Sequence, residues 1–207
     1  MKNDNSRLPS LKKRVAREAA LLLYTAHEKE YKQAKKRAAE NLGARMLPSN
    51  LEVARELDVI AGEREDVSRQ ERLIQMRKEA LKIMQILENF NPRLIGSVWR
   101  GAINKNSDID IAAFASTPNA VLTRIQKSSF SIVKTEWVSV TKEGRKETSF
   151  HIYLALPSGN EAEVVVRSAE KMNSFEKCDI YGDMVTGLNG HQLAKVLKEN
   201  PLARFVP

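Results

Sequence analysis

The 207 residues, 42% hydrophobic and 29% charged, fit one ordinary domain or a compact domain with an appended helical region, and they exclude a large multidomain enzyme and wholesale disorder. One cysteine, Cys178, excludes an internal disulfide or a paired-cysteine zinc site. The formal charge is +8, and residues 1–50 alone carry a balance of +7, with 12 Lys and Arg against 5 Asp and Glu, so any affinity for a polyanion is expected in that segment.

From Leu11 the apolar positions Leu11, Val15, Ala19, Leu22 and Leu23 recur at helical spacing, with Lys12, Lys13, Arg14 and Arg17 largely between them, which predicts an amphipathic basic helix. The aliphatic stretch within it, Ala19 to Tyr24, is far short of the ~20 residues of a bilayer span and of the roughly seven to fifteen uninterrupted apolar residues of a secretory signal. A cytoplasmic protein with no membrane partner is expected. A second helix is predicted from about Glu28 to Leu42, stopped by Gly43. Pro48-Ser49-Asn50 then punctuates the chain and caps a third helix through Leu51, Ala54, Leu57 and Ile60. A fourth covers Glu71 to Phe90, with Leu73, Met76, Ala80, Leu81, Met84 and Leu87 on one face.

Beyond Asn91-Pro92 the pattern becomes short alternating runs, and strands are predicted at Arg93–Ile95, Ile109–Phe114, Ser131–Val140, Ser149–Leu156 and Ala162–Val166. Helices are predicted at Pro118–Gln126 and from about Gly190 to Lys198. The expected class is α+β, a helical N-terminal region over residues 1–90 followed by a mixed β-sheet flanked by helices over 91–207.

Chemistry concentrates in Leu94 to Ile111, LIGSVWRGAINKNSDIDI. A short apolar strand runs into Gly96-Ser97, and a polar loop leads to Asp108 and Asp110 among alternating isoleucines. Side chains two apart on a strand share a face, so the two carboxylates stand side by side while Ile109 and Ile111 point into a core. Their repulsion calls for a cation, and hard oxygen ligands suit Mg2+ or Mn2+. Gly96-Ser97 after a strand leaves the backbone open to an anion, and a helix starting there would point free N–H groups at it.

This stretch resembles the glycine-serine, loop, aspartate-x-aspartate signature of the nucleotidyltransferase superfamily that includes DNA polymerase beta, the CCA-adding enzymes and the minimal nucleotidyltransferases. The helical region ahead of it is similar to the layout of archaeal nucleotidyltransferase-domain proteins. The resemblance covers residues 94–111. It implies a nucleotidyltransferase-type sheet and a third carboxylate on a neighbouring strand, for which Glu163, Glu161 and Glu136 are the candidates, Glu163 first because it directly precedes the apolar run Val164–Val166. A glutamate there departs from the superfamily's more usual aspartate.

The resemblance further implies a two-metal attack of an unidentified acceptor hydroxyl on the α-phosphorus of a nucleoside triphosphate. Asp108, Asp110 and Glu163 are then the catalytic and metal-binding residues, Gly96 and Ser97 hold the phosphates, and Arg100 or Lys105 neutralises their charge. Lys12, Lys13, Arg14 and Arg17 mark RNA as a partner. The alternative is a noncatalytic nucleotide- or RNA-binding relative of the same fold. His27, His151 and His191, far apart in sequence, are read as structural.

Overall fold

The computed structural model describes residues 9–142 and 145–207; residues 1–8, the start of the predicted helical region, lie outside the described residues. The chain divides into two units, one of residues 9–66 with 104–106 and 179–182, the other of residues 67–103, 107–178 and 183–207. Among the described residues no helix is long and apolar enough to cross a membrane.

The first unit contains α1 (Leu11–Tyr24), α2 (Tyr31–Asn41) and the first part of α3 (Asn50–Ile86). Ser10 caps α1 by accepting from the Lys13 N–H at 3.3 Å, and Ser49 and Glu52 cap the start of α3 reciprocally at 2.7 and 3.2 Å. The buried face is built from Val15, Ala19, Ala20, Ala34, Ala38, Val53 and Ile60. Lys12 pairs with Glu52 at 2.9 Å, and Arg17 reaches Glu56 at 3.4 Å and Glu63 at 3.0 Å. Such exposed pairs are worth about 0–1 kcal/mol each. Lys13 and Arg14 are exposed, with no ion-pair partner among the described residues.

The third and fourth predicted helices are both present, run together within α3 across a break at Asp66, where φ is 40° and ψ is −124°. The division between units falls at this break rather than at the residue-90 boundary expected from the sequence. The reason is burial: Leu73, Met76, Ala80, Ile83, Met84 and Leu87 belong to the core of the second unit.

That second unit is a five-stranded sheet of β1 (Arg93–Ile95), β2 (Ile109–Ala115), β3 (Ser131–Lys142), β4 (Arg145–Ala155) and β5 (Glu161–Ser168), in the order β1-β2-β5-β4-β3. Only β2 and β5 are parallel; the other neighbours are antiparallel. Short α4 (Gly96–Arg100) follows β1, α5 (Pro118–Gln126) follows β2, and α6 (Gly190–Glu199) comes last. Ile109, Ile111, Ala113, Ile152, Leu154, Val164 and Val166 line the core face of the sheet. The period of two therefore sends the intervening residues of β2 and β5 to the opposite face.

One buried cation ties this unit together. Arg77 is fully buried and donates to the carbonyls of Val98 at 3.2 Å, Trp99 at 3.0 Å, Pro201 at 2.7 Å and Ala203 at 2.8 Å. Burial lowers its pKa to about 10, which leaves it charged at neutral pH. Gly101 makes room for this arrangement: its φ is +67°, and a Cβ there would lie 2.8 Å from the Ala203 oxygen and 3.2 Å from Arg77 Nη2. An Arg77→Met variant fills the volume but leaves buried carbonyls without donors, so urea denaturation should show a loss of at least about 3 kcal/mol. A stability equal to wild type would show the clamp to be dispensable.

Candidate active site

The site is built from three strands and one turn of the second unit. Asp110 and Glu163 are register partners across the parallel β2–β5 pair, so both point to the face opposite the core. Asp108, two residues before Asp110, shares that face. One ligand oxygen from each of Asp108, Asp110 and Glu163 lies within 4.8 Å of the others, and all three residues are half-buried. Three acids at this spacing suit a small hard cation, because oxygen ligands converge where anions would otherwise repel.

The electrostatics carry the strain of that convergence. Burial first, then the negative charge of Asp108 and of Glu163, holds the Asp110 carboxyl well above its ordinary range. Asp108 is raised as well, mainly by burial and then by Glu163 and Glu161, against a hydrogen bond from its own backbone that lowers it. The donor set therefore fits a divalent ion, and without one the cheapest relief is a proton.

Gly96 closes the site from β1, where Ile95 pairs with Asp110. It sits at φ +69°, and a Cβ built on it would lie only 1.9 Å from Asp110 Oδ2. No other residue leaves room for that carboxylate. Ser97 follows on the first turn of α4, half-exposed, with no hydrogen-bond partner for its hydroxyl among the described residues. Beside Gly96 the sheet face opens into a cavity of about 240 Å3 lined by Arg93, Ile95, Ala112, Arg167 and Phe175 among others. Neither this cavity nor a larger hollow of about 520 Å3 near α6 is lined by any of the three carboxylates.

Of the residues expected from the sequence, Asp108, Asp110, Glu163, Gly96 and Ser97 are brought to this end of the sheet. Glu161 is exposed on the same strand, and Glu136 is an exposed residue paired with Lys134 at 2.9 Å. Arg100 is not offered to a ligand. It is buried, with its guanidinium bidentate on Asp183 at 2.7 and 3.1 Å, on the Phe205 carbonyl at 2.9 Å, and 4.4 Å from the centroid of the buried Trp99 ring. Lys105 belongs to the first unit, where its ammonium lies 4.7 Å from the Tyr24 ring centroid.

Sequence reading missed a second layer. On β4, Tyr153 is the register partner of Glu163 and His151 lies two residues away on the same face. His151 Nδ1 is 2.5 Å from Glu163 Oε1, and His151 Nε2 is 2.7 Å from Ser149 Oγ. Tyr153 is held well above the ordinary phenol range, first by burial and then by hydrogen bonds to Glu163 and Glu136. The signal lay in the turn Pro157-Ser158-Gly159-Asn160: a hairpin centred on Ser158 sets Tyr153 opposite Glu163.

No protein-family model matches the chain, and no curated protein matches it either. Among solved structures several match part of this chain at low identity. Cid1 in complex with the UTP analogue UMPNPP matches with 15% identity and a TM-score of 0.35 over 55% of this chain. The GLD-2/RNP-8 complex matches with 15% identity and a TM-score of 0.35 over 57%. A cytoplasmic RNA terminal U-transferase matches with 16% identity and a TM-score of 0.32 over 55%. The chain spans 36%, 44% and 35% of the lengths of these three.

The raised Asp110 makes a pH prediction with a definite sign. A carboxyl whose folded pKa lies above its unfolded value contributes stability below the unfolded value, near 3.8, and loses it as pH rises through the folded value. Asp110→Asn removes that loss. Without divalent ions its unfolding temperature should exceed that of wild type by a margin that widens as pH rises above the ordinary carboxylate range, and Mg2+ should raise wild type alone. Parallel pH curves would show that Asp110 does not carry the strain.

Proposed function

We propose that this chain transfers a nucleotide from a nucleoside triphosphate to a hydroxyl acceptor. The observation that carries the reading is the convergence of Asp108, Asp110 and Glu163 beside the Gly96-Ser97 turn, where the backbone of Gly96 is pressed against Asp110. Carboxylates that repel one another next to an open backbone turn have a use when a cation and a polyphosphate arrive together.

Asp108, Asp110 and Glu163 are the residues to hold divalent ions, Mg2+ or Mn2+. When bound, such ions supply Lewis-acid activation of the acceptor hydroxyl and shield the charge of the phosphates. The chain's own contribution is positioning. Gly96 leaves the phosphate chain a close approach to the backbone, and the Ser97 hydroxyl is free to donate to a phosphate oxygen. The acceptor hydroxyl gives up its proton to solvent, its oxygen forms a bond to the α-phosphorus, the bond to the bridging oxygen breaks, and pyrophosphate leaves. Arg100 serves this indirectly, by fixing the end of α4 that follows Ser97 through Asp183 and the Phe205 carbonyl.

Incubation with each labelled triphosphate, Mg2+ and total RNA tests the reading. Wild type should label an acceptor, and Asp108→Asn or Asp110→Asn should each lower the rate roughly 10⁴-fold or more. Equal labelling by wild type and both variants would remove it, and binding of triphosphate without transfer would favour the noncatalytic relative.

RNA as the acceptor rests on Lys13 and Arg14, which stay exposed and unpaired among the described residues while Lys12 and Arg17 are engaged by Glu52, Glu56 and Glu63. Phosphate contacts release counterions, so the logarithmic salt slope of binding single-stranded RNA should fall by about 1.4 when both are replaced by Gln, at about 0.7 per contact. An unchanged slope would discard RNA contact by this helix and leave the carboxylate site untouched.

A further inference from the structure

Glu163 has a problem its two partners do not. Asp108 and Asp110 lie on or beside β2, where Asp110 is wedged against Gly96, but Glu163 is a longer, more flexible side chain facing two other anions. Repulsion from Asp110 would swing it away from the cluster in the absence of a counterforce.

The counterforce is on the next strand. His151 and Glu163 are largely buried, their side chains 14% and 18% exposed, and their Nδ1–Oε1 contact is 2.5 Å. Ser149 Oγ lies 2.7 Å from the other ring nitrogen. A carboxylate can only accept, so His151 Nδ1 carries a proton toward Glu163, and in the neutral tautomer Nε2 accepts from the Ser149 hydroxyl. The hydrogen bonds run one way, Ser149 to His151 to Glu163, and each polarises the next. Tyr153 stands directly across from Glu163 in the β4–β5 register. Its ring is in turn covered by Lys134, whose ammonium lies 4.2 Å from the ring centroid and bonds Glu136 at 2.9 Å.

We infer that His151 is a positioning residue that holds Glu163 in the metal-binding cluster before any ion arrives. The inference rests on the reading of Asp108, Asp110 and Glu163 as a metal site and adds the layer that sets its affinity. Partners of this kind typically change metal affinity by 10- to 100-fold when removed.

Mn2+ titration followed by electron paramagnetic resonance tests it without any assay of transfer. His151→Ala should bind Mn2+ about 10- to 100-fold more weakly than wild type. In His151→Asn the side-chain amide nitrogen stands near the position of Nδ1 and can still donate to Glu163, so affinity should return to within a few-fold of wild type. In His151→Gln the amide nitrogen stands near the position of Nε2, and affinity should remain low. Circular dichroism checks that each variant is folded, and the Asn variant separates a lost donor from a lost fold. Combined with Glu163→Gln, the His151→Ala change should have no further effect, because the histidine acts through that carboxylate.

Wild-type affinity in a folded His151→Ala variant, or equal losses in the Asn and Gln variants, would overturn the inference while leaving the metal site standing. If wild type itself binds Mn2+ no better than Asp110→Asn, the metal reading falls and the inference with it.

Discussion

Three carboxylates that repel one another are the constraint around which the sheet face is organised. Separated, each would be an ordinary solvated acid. Brought within 4.8 Å, they leave Asp108 and Asp110 above their ordinary range, Asp110 well above it, so the fold without a cation is less stable at neutral pH than the same backbone would be without Asp110. Such strain persists only where the surroundings leave no alternative. Two features remove the alternatives: Asp110 is held against Gly96, whose missing Cβ is the space the carboxylate occupies, and Glu163 is gripped from β4.

The Gly96-Ser97 turn must be as firmly held as the acids, since its backbone forms one wall of the site. Five residues of α4 have little helical stability of their own. The turn is fixed instead by two arginines acting on carbonyls at the far end of α4. Arg77, buried on α3, donates its guanidinium to the carbonyls of Val98, Trp99, Pro201 and Ala203, while Arg100, itself the last residue of α4, binds Asp183 and the Phe205 carbonyl. This explains why Arg100 is removed from phosphate binding although it lies close in sequence to Ser97. A guanidinium satisfied on both edges inside the protein is a strut, and its charge is spent on main-chain oxygens and one carboxylate.

How much of this was legible in the sequence depended on whether the pattern was local. The alternation in SDIDI and the Gly-Ser step after a three-residue strand are local, and they placed four site residues, Gly96, Ser97, Asp108 and Asp110, on one end of the sheet. The helices α1, α2, α5 and α6 also follow from spacing and caps. What was not legible required knowing which strands are neighbours. Nothing in residues 109–115 states that they lie parallel to residues 161–168, so Glu163 could be ranked above Glu161 and Glu136 only through the resemblance. The division at Asp66 was not legible for a related reason: the apolar face of Leu73 to Leu87 announces burial but not against what, and it packs into the sheet's core. His151 was passed over because histidines were compared by sequence distance, whereas the tight turn at Ser158 folds position 151 back onto position 163.

The excess charge of residues 1–50 shows the same limit of counting. A balance of +7 suggests a polyanion surface, yet two of the four basic residues on α1 face acids of α3, Lys12 on Glu52 and Arg17 on Glu56 and Glu63. Pairs so exposed add little stability, but they do cancel local potential, and what remains to attract an anion on α1 is Lys13 and Arg14. Net charge thus located a region, and on α1 pairing left two side chains of the four. The carboxylate cluster is the reverse case, where the fold concentrates charge of one sign instead of cancelling it. Concentration without cancellation is costly to a protein at rest, and in this chain it occurs where a cation and a polyphosphate would together relieve it.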